Sequence, residues 1–151
     1  MSRRARMIRL TALLAALLVF SGCGGSFTCT EIGCDSVAVV DYGDVVVNEP
    51  YALNINIGGQ LTSVVCLSND PDDEPLPEWL RCDAGGFEIT GELADNTTVT
   101  VAVVPLSTNE VVIPNVLVPL TVEEVLRPNG PDCEPVCYRR TGTVPPSADR
   151  P

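Results

Sequence analysis

The chain has 151 residues, of which 45% are hydrophobic and 5% aromatic, with nine basic residues, 20 acidic ones and no histidine, a formal net charge of −11. A surface of that sign repels nucleic acid and anionic headgroups, so neither is an expected partner. All nine basic residues are arginines, and without lysine or histidine the commonest general bases, nucleophilic amines and imidazole metal ligands are missing.

In chain order, Arg3, Arg4, Arg6 and Arg9 form a positive start, and Leu10 to Phe20 is a mostly apolar run. A helix needs about 20 apolar residues to cross a bilayer core, whereas the apolar part of a secretory signal needs about 7–15. Residues 1–22 are therefore expected to direct export and then to be removed. The run ends in Phe20-Ser21-Gly22-Cys23, which resembles the lipobox of bacterial lipoproteins: an apolar residue, two small ones and a cysteine. Phe20 stands where that family usually has leucine. The resemblance implies cleavage before Cys23, a lipid on its sulfur and attachment to a membrane through that lipid. Gly24, where aspartate would retain the protein at the inner membrane, implies the outer membrane of the bacterial cell envelope.

Loss of the signal removes four arginines and leaves five basic residues against 20 acidic ones, a formal −15. It also leaves residues 23–33 as a short lipidated tether, Gly-, Ser- and Thr-containing and without periodicity. Setting Cys23 aside, the other six of the seven cysteines are Cys29, Cys34, Cys66, Cys82, Cys133 and Cys137. An even set in an exported domain is expected to be oxidised. Cys66 is expected to join Cys82 across the acidic stretch between them. The outer four are open between local pairs and pairs that join the tether to the C-terminal segment. Zinc on Cys29, Cys34, Cys133 and Cys137 fits less well, because the spacings are C-x4-C and C-x3-C and no histidine completes a mixed site.

Residues 34–137 carry strand signals and almost no helix signals. Val37 to Asp41 and Val45 to Asn48 are β-branched runs split by Gly43. Tyr51 to Ile57 alternates, which places Leu53, Ile55 and Ile57 on a buried face and Asn54 and Asn56 outward. Gly58-Gly59 turns the chain into a strand over Leu61 to Leu67. Phe87 to Thr90, Thr97 to Val104, Glu110 to Ile113 and Val116 to Val125 complete the expected set. Pro119 lacks the N–H of a ladder, so its strand belongs at an edge or carries a bulge. Arg127-Pro128-Asn129-Gly130-Pro131 reads as turn chemistry. Residues 138–151, with Gly142, Pro145, Pro146, Pro151 and two adjacent arginines, read as a disordered tail.

Pro50-Tyr51, Gly58-Gly59, Leu76-Pro77-Glu78-Trp79-Leu80, Asp83, Gly85-Gly86, Ile89-Thr90-Gly91 and the alternating run Thr97 to Val104 follow one another in an order that resembles immunoglobulin-like domains of the cadherin-like and dystroglycan type. The resemblance covers about Gly43 to Val125. It implies a single immunoglobulin-like β-sandwich in which Trp79, Leu80 and Ile89 plug one end and the glycines occupy tight turns of positive φ. The acidic insert Asn69 to Pro75 and the Cys66–Cys82 pair depart from the pattern.

The residues carry little chemistry. Carboxylates, hydroxyls and three tyrosines remain as candidate bases and nucleophiles, and no spacing singles out a pair, so no enzymatic activity and no cofactor are expected. Asp70, Asp72, Asp73 and Glu74 are weak calcium candidates: hard oxygens in a loop, but without the glycine-punctuated order of dedicated calcium loops, and stiffened by Pro71 and Pro75. They are expected instead to lie in water. The expected function is a membrane-anchored interaction or envelope-structural domain with a protein or polysaccharide partner. The alternatives are a polysaccharide- or small-ligand-binding module and a calcium-dependent adhesion domain.

Overall fold

The computed structural model describes residues 32–146. The expected signal segment 1–22, the lipidation site Cys23, the tether as far as residue 31 with Cys29, and residues 147–151 lie outside that range. The strands are β1 Val37–Asp41, β2 Tyr51–Ile57, β3 Gln60–Cys66, β4 Leu80–Cys82, β5 Gly86–Thr90, β6 Thr98–Pro105, β7 Ile113–Pro119, β8 Thr121–Leu126 and β9 Cys137–Thr143. The helical part of the described residues is one 3-10 turn, Glu92–Asp95.

Two sheets pack into an all-β sandwich, one in the order β4-β5-β1-β9-β8 and the other β3-β2-β6-β7. Period two sets their faces. Leu53, Ile55 and Ile57 of β2 and Val99, Val101 and Val103 of β6 are buried, as are Ala38 and Val40 of β1. Each fully buried aliphatic side chain contributes about 1.5–3 kcal/mol. Gly58 and Gly59 (φ 57° and 83°) make the two-residue turn between the paired residues Ile57 and Gln60, which needs positive φ at both positions. Leu80 and Ile89 pair across β4 and β5 and are buried, and Trp79 packs against the core.

Some expected elements fall elsewhere. Val45 to Asn48 is a loop, anchored by the buried Val47, whose N–H donates to the Ala84 carbonyl at 2.8 Å. Of Glu110 to Ile113, only Ile113 lies in a strand. The run Val116 to Val125 is divided between the two sheets. Pro119 ends β7, an edge strand as its missing N–H requires; the buried Leu120 then crosses, its N–H on the Thr97 carbonyl at 2.8 Å, and β8 continues in the other sheet.

The largest correction concerns the tail. Tyr138 to Thr143, expected to be disordered, belongs to β9 and lies between β1 and β8. Its pairing with β1 is parallel, from Val37 opposite Arg139 to Asp41 opposite Thr143. The polar composition is accommodated locally. Arg140 is only 7% exposed; its Nη1 donates to the Ala94 carbonyl at 3.2 Å and lies 3.7 Å from an Asp95 oxygen, and its guanidinium carbon stands 4.6 Å from the centre of the Tyr138 ring. These contacts offset part of the cost of burying the charge, while the buried Arg140 Nε has no hydrogen-bond partner among the described residues.

Two buried tyrosines close one end of the core. Because the Tyr51 hydroxyl donates to the Asp83 carbonyl at 2.8 Å, the Tyr42 hydroxyl must donate to that of Tyr51, at 3.1 Å. Burial raises both phenols: Tyr51 is pushed up to about 12, and Tyr42 is raised further, with Tyr51 beside it adding to the effect. A neutral phenol favoured by the fold contributes in full below the unfolded value of about 10 and is lost as pH rises through the folded value. Stability is therefore expected to fall above about pH 10, with a slope approaching 1.4 kcal/mol per pH unit for each tyrosine. Urea unfolding measured across that window checks this, and Tyr51→Phe should make the slope shallower.

Candidate interaction site

The acidic insert is a built loop. Cys66, at the end of β3, and Cys82, at the end of β4, form the expected disulfide with a Cα separation of 5.8 Å. Leu67 turns the chain off β3 with a left-handed φ of 59°. The Ser68 hydroxyl accepts from the Asp70 N–H at 3.1 Å and donates to the Asp73 carboxylate. Asp70 accepts twice, from the Asp72 N–H on its side chain at 3.0 Å and from the Asp73 N–H on its carbonyl at 3.2 Å. Pro71, Pro75 and Pro77 each fix a backbone angle.

Residues 69–75 are all exposed. Asp70 and Asp73 thus serve turn geometry, while Glu74 makes no hydrogen bond or ion pair among the described residues. The four calcium candidates are not drawn around one point; among the described residues no group of three or more histidine, cysteine or carboxylate side chains is placed to hold a metal.

The loop stands beside β3, which has β2 as its ladder partner on one side and, among the described residues, no strand on the other. Between them runs a groove of about 390 Å³, lined by Thr62, Ser63, Val64 and Val65 of β3, by Ala52, and by Asp73, Glu74, Pro75 and Pro77 of the loop. A second hollow, of about 320 Å³, lies where β1, β4 and β5 meet. Its Asp41 and Asp83 are engaged as turn caps, accepting from the Gly43 and Gly85 N–H groups at 2.6 and 2.7 Å.

The remaining cysteines settle one open choice. Cys34 pairs with Cys137, a sequence separation of 103, so the bridge joins the segment before β1 to the C-terminal strand. Cys133 is disulfide-bonded as well. Asn129, legible in the sequence only as a turn residue, clamps the same junction. Its side chain accepts from the Ile32 N–H and donates to the Ile32 carbonyl, both at 3.0 Å. No local pattern announces a contact 97 residues apart. Comparison with protein-family models, curated proteins and solved structures finds no match for this chain.

Proposed function

We propose that the chain is an exported lipoprotein, held at the bacterial envelope by lipid on Cys23, whose β-sandwich is a non-enzymatic interaction domain of immunoglobulin-like architecture. The observation that carries this reading is the state of the cysteines. All five in the described residues are disulfide-bonded, chemistry that persists in oxidising compartments. Two cysteines remain in the sequence, Cys23 and Cys29. In this reading Cys29 is the partner of Cys133, which leaves Cys23 for lipid.

The immunoglobulin-like assignment is supported by the order of the sequence motifs and by two packed sheets. Polysaccharide binding has less support, since Tyr42, Tyr51 and Phe87 are buried and unavailable for stacking on sugar rings.

Metabolic labelling with a fatty acid tests the reading. Label is expected on the native chain and lost in Cys23→Ser, and peptide mapping without reduction is expected to yield a Cys29–Cys133 peptide. Equal labelling of both proteins, or a Cys23–Cys133 peptide, overturns it.

A further inference from the structure

We propose that the groove along β3 receives an extended, lysine- or arginine-bearing segment of a partner protein, which adds to the sheet as a further strand. The proposal rests on the reading of this domain as an interaction module and names its partner class.

The backbone provides the first argument. Among the described residues, no N–H or carbonyl of Gln60 to Cys66 bonds to anything but β2. An edge strand so placed offers a row of unmet donors and acceptors, and an added strand satisfies them. Shape provides the second. The groove has a preformed outer wall, stiffened by Pro75 and Pro77 and anchored where Cys66 meets Cys82, so little ordering is needed on binding.

Charge then selects the occupant. Asp70, Asp72, Asp73 and Glu74 crowd the loop, Asp73 and Glu74 line the groove, and the chain has no lysine. The described arginines lie elsewhere: Arg127 donates to the Pro131 carbonyl, Arg139 pairs with Glu123, Arg140 is buried, and Arg81 stands opposite Glu88. Among the described residues no arginine complements this loop, which leaves its charge for a cationic partner. The same charge opposes pairing between two copies, which would bring two acidic loops together, so it both attracts a cationic strand and rejects self-association. A segment alternating β-branched with basic residues would set one face against Val64 or Val65 and the other toward Asp73 and Glu74.

The test uses the full chain and two dye-labelled peptides, one alternating valine with lysine and one alternating valine with glutamate. Fluorescence anisotropy should detect binding of the first and not the second, weakened by added salt. Asp73→Asn with Glu74→Gln should weaken binding by roughly tenfold, as expected for two exposed ion pairs. Amide exchange should slow at alternate residues of β3. Absence of binding in protein that still labels with fatty acid overturns the groove assignment alone. Binding that the double variant leaves unchanged, or protection away from β3, overturns it too.

Discussion

Gly86→Ala is expected to destabilise the domain by on the order of 3 kcal/mol or more, as overpacking with no room to relax. A Cβ built at Gly86 would lie 2.2 Å from the Val40 carbonyl oxygen and 3.3 Å from the Asp41 Cα. Both neighbours are backbone of β1, the strand that β5 pairs with from Val37 opposite Thr90 to Asp41 opposite Gly86. No side chain can swing aside, so β1 and β5 must separate at the point where Tyr42 and Phe87 pack on each other with ring centres 6.1 Å apart. Gly85→Ala is the internal control. Its added carbon would meet only an Asp83 oxygen, at 3.6 Å, an ordinary contact, and a cost below about 1 kcal/mol is expected. Urea unfolding of the two variants against the native chain decides the matter; similar costs for both would refute the close-approach account.

Replacing Cys29, Cys34, Cys133 and Cys137 together by alanine is expected to remove roughly 7 kcal/mol in the chain-entropy model, comparable with the whole stability of a domain. A single bridge across a separation of 103 residues, that of Cys34 and Cys137, accounts for about 4.7 kcal/mol of this. If Cys133 pairs with Cys29, as proposed, the second bridge then closes only a ring of about nine residues between the two pairs, worth a little under 3 kcal/mol. Order matters for the same reason. Cys34→Ala with Cys137→Ala alone should cost only that smaller amount, because the Cys133 bridge already holds the ends together. Denaturant unfolding of the pair variant and the fourfold variant should therefore give clearly unequal losses. A pair variant that loses as much as the fourfold one would mean that Cys133 does not bridge to Cys29.

Both effects centre on β1, whose strand was readable in the sequence although its parallel partner β9 was not. The core face of β2 and the faces of β6 were readable because alternation over seven or eight residues admits one arrangement on a half-buried sheet. The Cys66–Cys82 pair was readable because a separation of 16 residues leaves few ways to return. The exposure of residues 69–75 followed from charge density alone, since four carboxylates so close cannot be buried unpaired. Their part in a groove did not follow, because the groove's other wall is β3 and its edge position is a property of the sheet.

Gly86 shows the limit within one residue. Its place in Gly85-Gly86 suggested a turn needing positive φ, yet it is absent from the glycines of positive φ and is required by the nearness of the Val40 carbonyl. Gly142 is a second case: a Cβ there would lie 2.8 Å from the Pro119 carbonyl oxygen and from Val118 Cγ1. Read locally, Arg139, Arg140 and Gly142 argue for a solvated tail. In the fold, the glycine makes room for the crossing at Pro119 and the second arginine reaches Ala94 and Asp95.

The sequence by itself determined the all-β class, the inward face of β2, the alternation of β6, the central disulfide and the exposed acidic loop, because short-range periodicity, short loop closure and charge density act between residues close along the chain. Only the tertiary structure decided that β9 is an inner strand, that the run through Leu120 changes sheets, that Cys34 joins Cys137 and that β3 is an edge among the described strands. Those outcomes depend on which distant segments meet, and the contacts that select them, from Arg140 at Ala94 to Asn129 at Ile32, are made between residues 46 and 97 positions apart.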